Sequence, residues 1–199
     1  NHVDGILLSG PREDDQAIIQ RYEEGFPVVL MGQLGESQIP FVDVNAFDGA
    51  AAATRHLIEL GHKRIGMITN ASMEYTSARE RHQGYVHALK EASLPFDDSL
   101  FREGAYTPAS GFAAMNELLD QESTPTAVFV ASDVVAIGAV QAIKNHNLRI
   151  PQDISIIGFD DIPMAAFFDP PLTTIRLPAY EIGRKAGENL IQQVLGTEP

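Results

Sequence analysis

Three short, almost wholly apolar runs punctuate the chain: RIGMIT at 64–69, TAVFVA at 126–131 and ISIIGF at 154–159. Between them lie stretches whose apolar residues recur at helical spacing. A strand buried on both faces has no reason to alternate, because neither side meets water. Repeated strand–helix phrases of this kind build a parallel sheet with helices on both faces. The expected fold class is therefore α/β.

The remaining segments extend the pattern. Residues 3–8, 27–31, 41–44 and 99–103 read as short strands, and 14–24, 77–92, 109–121, 134–146 and 179–195 as helices. Asn45 is placed to start a helix through the Ala-rich run that follows. Asp48 stands at its third position, where a carboxylate meets free backbone N–H groups. Gly61 is placed to stop its helix in a left-handed conformation, and the last helix ends at Gly196. Asp133 opens helix 134–146. The apolar stretch after Asp160 reads as a long loop, which Pro170 and Pro171 fix.

Several function classes are excluded. Cysteine is absent, so there is no disulfide, thiolate chemistry or thiolate metal site. This suits a reducing, cytoplasmic setting. The formal charge is -13, with 14 Lys and Arg against 27 Asp and Glu, and the nearest basic cluster is HKR at 62–64. Gripping phosphates needs clustered cations that release counterions, so this segment does not hold DNA by itself. No apolar run reaches the roughly eighteen residues of a membrane span. No leader opens the chain, whose first residues NHVDGILLSG read like the middle of a protein. The glycine fingerprint of dinucleotide sites, the phosphate-binding loop and the nucleophile elbow are all missing. No cofactor or metal is expected.

Ligands of parallel sheets sit beyond the carboxyl ends of the strands. That rule collects Asp160 after 154–159, Ser132 and Asp133 after 126–131, Tyr75, Ser77 and Arg81 after 64–69, and Tyr106 beyond the strand near 101. A carboxylate, a guanidinium fork, hydroxyls and an aromatic ring suit a polyhydroxylated molecule: charged planar groups bond paired hydroxyls, and the ring covers the less polar face. Each residue also has a plainer role. Asp133 reads first as a helix cap, Asp160 as a cap or turn former, and Asp161 as structural. Arg81 alone would more often be a surface ion pair with Glu80 or a neighbour, and Tyr106 alone is as often packing. His62 belongs to a turn. No base and nucleophile stand at a recognisable spacing, and no histidine joins the set, so an enzyme is not expected.

The chain resembles the effector domain of the lactose repressor/galactose repressor family of bacterial transcription regulators. The resemblance rests on VDGILLS, PVVLMG, HLIELGHKRIGMI, SARERHQGYVHAL, SGFAAMNELL, PTAVFVASDVVAIGAVQAI, LRIPQDISIIGFDD and PPLTTIRLPAYEIGRKAGENLI, in that order. It implies a two-lobed periplasmic-binding-protein-like fold, with a small effector in the cleft between lobes. Residues 1–43 and 178–199 would belong to the lobe nearer DNA and 45–175 to the distal one. The family's R-x-x-G-[YFW] arginine falls on Arg81, its G-[YF]-D-D aspartate on Asp160, and its stacking aromatic on Tyr106. A helix-start contact falls on Ser132, and variable contacts fall on Tyr75 and Ser77. Two positions depart: Gly32 stands where many members carry Asp, and Ser132 where many carry Asn.

The resemblance further implies a homodimeric, cytoplasmic sensor whose effector, expected to be a sugar, controls operator affinity. DNA would be read only through an N-terminal helix-turn-helix outside this segment, and no membrane is involved. Some members read purines or nucleosides instead. The alternatives are a sugar-binding protein of an import system and, behind it, a small-molecule enzyme.

Overall fold

The computed structural model describes residues 3–197. Residues 1, 2, 198 and 199, included in the expected DNA-proximal lobe, lie outside the described residues. By internal contacts the chain divides into two units: Asn1–Val44 with Glu74–Ser77 and Pro178–Pro199, and Asn45–Met73 with Ala78–Leu177.

In the first unit, β1 (Ile6–Ser9), β2 (Val28–Met31) and β3 (Phe41–Val42) form a parallel sheet in that order. Val28 and Leu30 of the central strand join Leu34 and Ile39 in a small core, backed by Ile18, Ile19 and Tyr22 of the helix α1 (Gln16–Glu23) and its flank. Gln193, on the last helix of the chain (Ala179–Leu195), holds the edge of β2. It accepts from Val28 N at 3.1 Å and donates to Val28 O at 3.2 Å. That helix ends at Gly196 with φ 64°, as its position foretold.

The second unit contains five parallel strands. They are β4 (Ile65–Ile68), β5 (Phe101–Arg102), β6 (Ala127–Val130), β7 (Ser155–Asp160) and β8 (Thr173–Arg176), in spatial order β5-β4-β6-β7-β8. From β4 the chain goes first to one side, to β5, and then to the other, to β6. This reversal puts the topological switch point, where open α/β sheets form a crevice, at the carboxyl ends of β4 and β6.

Helices α2 (Ala46–Glu59), α3 (Thr76–Glu91), α4 (Pro108–Leu119) and α5 (Asp133–Asn145) cover the sheet, and α6 is the last helix of the first unit. Successive strand residues face opposite layers. Val128 and Val130 pack with Met115 and Leu118 of α4 and Ile143 of α5. Ala127, Phe129 and Ala131 pack with Leu57 of α2 and with Tyr85 and Leu89 of α3. Both sides are apolar, which is why these strands do not alternate.

Asn45 caps α2 as its position implied: its Oδ1 accepts from Asp48 N at 2.8 Å, and its Nδ2 donates to Asp48 Oδ2 at 2.6 Å. Two local readings need correction. The loop after Asp161 contains a short 3-10 turn, Pro163–Phe167, and TTIR supplies strand β8. Asp160 is the last residue of β7, not the first residue beyond it. Both lie at element ends, where periodicity carries least information.

Candidate functional site

The R-x-x-G-[YFW] stretch shows how the fold aims a guanidinium. A side chain at Gly84 would run into Phe47 O, Ala50 Cβ and Ala51 N of α2, so glycine lets the two helices approach closely. One residue on, the buried Tyr85 hydroxyl donates to Ile65 O at 2.7 Å, pinning α3 to β4. Burial pushes that phenol far above its ordinary pKa, with Asp97 adding to the shift, so it stays a donor at every working pH.

Arg81 lies on the preceding turn of α3 and is only 7% exposed. Its Nη1 donates to Ala131 O, at the end of β6, at 2.5 Å. Its Nη2 is 3.7 Å from Asp160 Oδ1, and its Cζ lies 3.9 Å from the centre of the Phe159 ring. Such stacking on a desolvated ring is worth about 2 kcal/mol. The surface ion pair weighed for Arg81 is therefore not its place.

Asp160 receives more than the arginine. Ser132 Oγ donates to its Oδ2 at 3.0 Å, and Asp133 N also donates to its carboxylate. The capping role weighed for Asp160 is thus real, but it serves a different helix, the amino end of α5. At 3.7 Å and an effective dielectric of about 20, the attraction to Arg81 is on the order of 4 kcal/mol. Burial nevertheless wins and pushes the Asp160 carboxyl above the ordinary aspartate range, against Arg81 and Ser132. A carboxylate with that balance gains from any further hydrogen-bond donor.

Asp133 does not cap its own helix through its side chain. Helix α5 begins at Asp133 with Ser132 as the flanking residue, one residue earlier than expected. The fully buried Asp133 carboxylate accepts from Thr174 Oγ1 at 2.7 Å and from Ile162 N at 3.0 Å. Burial raises its pKa, while those two donors and the N–H groups of Asp161 and Phe159 oppose the rise. Asp133 thereby grips the turn at Asp160 and Asp161, whose φ values are 125° and 57°. Non-glycine residues in this region cost about 1–3 kcal/mol each, and the Asp133 bonds are what hold them there. Asp161 takes the structural role foreseen, exposed and 3.8 Å from Arg176.

Tyr106 stands on the same carboxyl edge, beyond β5. Its φ is 54°, its N donates to Asn70 O at 2.8 Å, and its hydroxyl accepts from Asn70 Nδ2 at 3.0 Å. Ser110 braces this strap by accepting from Ala105 N at 2.9 Å. Tyr75 and Ser77 group with the first unit, where the Arg12 guanidinium lies 5.7 Å from the Tyr75 ring centre. The structure thus joins Arg81, Asp160 and Ser132 directly and sets Tyr106 on the same edge of their sheet. Asn70 and Phe159 were missed as contributors, and Asp133, collected by the strand-end rule, contributes by holding the turn rather than by capping its own helix. The strand-end rule that found Ser132 applies equally to Asn70.

His62 lies at the opposite, amino edge, between Thr126 Oγ1 at 3.0 Å and Ser155 Oγ at 2.9 Å, and burial lowers its pKa. Among the described residues no cluster of three or more His, Cys, Asp or Glu is arranged to hold a metal ion, and no helix is long and apolar enough to cross a membrane.

A parallel sheet layered by helices, with charged and hydroxyl groups gathered at the carboxyl edge of its switch point, defines the class of periplasmic-binding-protein-like domains. Residues 54–199 match the family described as periplasmic binding protein-like domain, and the chain belongs to that family as an effector-binding domain of the LacI-type regulators. It is 40% identical over 194 residues to the HTH-type transcriptional repressor PurR of Haemophilus influenzae strain PittEE, covering 96% of this chain and 57% of that protein. A LacI-family regulatory protein from Chloroflexus aggregans superposes with a TM-score of 0.88 at 36% identity, covering 99% of this chain and 71% of that one. The transcriptional regulator CelR in complex with cellobiose gives a TM-score of 0.92 at 35% identity, covering 100% of this chain and 61% of that one. The chain therefore spans little more than half the length of the repressor it matches.

Proposed function

We propose that this domain senses a small polyhydroxylated effector, a sugar, for a transcription regulator that binds DNA through a helix-turn-helix outside these residues. The observation that carries the reading is the Arg81–Asp160–Ser132 set at the carboxyl edge of the second unit's sheet. Asp160 accepts from effector hydroxyls. Arg81, anchored by Ala131 O and the Phe159 ring, donates toward them. Tyr106 lies along the wall of the site. The CelR–cellobiose complex supports a sugar. Occupancy shifts the domain between two arrangements with different effector affinity, and a homodimer passes that difference to its two DNA-reading heads.

The net charge of -13 supports a division of labour in which this segment reads the effector and leaves phosphate contacts to another domain. The regulator operates in the cytoplasm and turns over no substrate, in keeping with the repressor that it resembles. A sugar-binding import protein would share the fold; the HTH-type repressors among the relatives favour the regulator.

Calorimetric titration of the full-length protein with cellobiose, monosaccharides, nucleosides and purines tests the proposal. One sugar is expected to bind with a Kd in the micromolar range, on the order of -8 kcal/mol. Absence of binding across the whole panel would overturn it.

A further inference from the structure

We propose that Asn70 is a positioning residue that sets the pose of Tyr106 and, through it, the selectivity of the effector site. The inference rests on the assignment of Tyr106 to that site. Tyr106 is 46% exposed, so its pose depends on the contacts of its buried half. Its backbone is left-handed, at φ 54°, a conformation that a tyrosine adopts only when something fixes it. Asn70 grips both ends of the residue: its carbonyl takes the Tyr106 N–H at 2.8 Å, and its side-chain amide donates to the phenol oxygen at 3.0 Å.

Asn70 is itself anchored. It is 1% exposed and follows β4 by two residues. The neighbouring Thr69 hydroxyl donates to Ala71 O at 2.6 Å and accepts from Gly104 N at 3.0 Å, which ties the Asn70 turn to the start of the Tyr106 strap. A side chain at Gly104 would strike Thr69 O, so the two segments touch backbone to backbone.

The bond also has a chemical consequence. A phenol O–H lies in the plane of its ring, pointing to one side or the other. With the Asn70 amide donating from one side, the hydrogen turns to the other. Tyr106 then offers a donor in a fixed direction and rewards effectors that place an acceptor there.

Two readouts on the full-length protein test this. With fluorotyrosine incorporated and no compound added, the Tyr106 fluorine signal, assigned by its loss in Tyr106→Phe, shifts in Asn70→Ala. The signals of Tyr22, Tyr85 and Tyr180 stay in place. An unmoved Tyr106 signal overturns the proposal. In calorimetric titrations with cellobiose and, separately, adenosine, Asn70→Ala weakens the compound that wild type binds by about fivefold, the worth of one neutral hydrogen bond. The loss vanishes in the Tyr106→Phe background; an equal loss in both backgrounds overturns the proposal, because Asn70 then acts independently of the hydroxyl. If wild type binds neither compound, the effector assignment loses its support, while the fluorine signal still decides whether Asn70 holds the ring. Should Asn70→Ala not fold, the Asn70 side-chain amide signal in Tyr106→Phe carries the decision: it moves if the phenol oxygen was its acceptor, and an unchanged signal overturns the proposal.

Discussion

The carboxylate of Asp133 occupies the space that a side chain at Gly158 would fill. A Cβ added to Gly158 would collide with Asp133 Oδ1 and come within 2.9 Å of Leu172 Cδ2. The glycine of the G-[YF]-D-D stretch is there for its neighbour: it admits the buried acid that holds the Asp160–Asp161 turn. Gly158→Ala should cost about 1–3 kcal/mol of stability, the range for overpacking a filled core. Urea unfolding measures the cost, and effector affinity should fall as well because the turn loses its grip. A variant as stable as wild type would show that the Asp133 carboxylate can move aside freely.

Arg81→Ala should reduce effector affinity at least a hundredfold while the domain stays folded, with a stability loss of about 2 kcal/mol from the unpaired Asp160 carboxylate and Ala131 carbonyl. Arg81→Lys should not restore binding. An ammonium cannot lie flat on Phe159 while also reaching Ala131 O and Asp160. Circular dichroism checks the fold and calorimetry the affinity.

Asp160→Asn separates binding from stability. It should weaken a hydroxylated effector about tenfold to a hundredfold, because a charged acceptor becomes a neutral one. Burial raises the Asp160 pKa, so the folded state holds this proton more tightly than the unfolded chain does. Its contribution to stability is fully present below the unfolded pKa and declines as pH rises through the folded one. The asparagine variant should accordingly lose this decline between acid and neutral pH, giving a Tm no lower than wild type at neutral pH.

Effector binding should depend on pH in the opposite sense. Hydroxyl donors favour the ionised carboxylate, so affinity is full above the free-state pKa of Asp160 and falls as pH drops through it. The midpoint should lie above the ordinary aspartate range, in the direction burial sets. Titrations repeated across acid pH check this, and a flat profile would remove Asp160 from the contact.

Much of this arrangement was legible in the sequence. Strands buried on both faces announce themselves as unbroken apolar runs, and the strand-end rule picks out Arg81, Asp160, Ser132 and Tyr106 from the sequence. What escaped were roles set by distant neighbours. Nothing local to Asp133 says that its side chain serves residues 160–162 rather than its own helix. Nothing local to Asn70 says that it faces a tyrosine at the next strand end, 36 residues on. β8 was hidden because TTIR is neither uniformly buried nor cleanly alternating. Tyr75 and Ser77 were grouped by sequence with Arg81, yet they divide with the first unit.

The most direct test is side-by-side calorimetry of wild type, Arg81→Ala and Asp160→Asn against the sugar that wild type binds best. The expected result is micromolar binding by wild type, none detectable with Arg81→Ala, and a residual, much weaker heat with Asp160→Asn. Full affinity in both variants, with their folds intact, would place the effector somewhere other than this carboxyl edge.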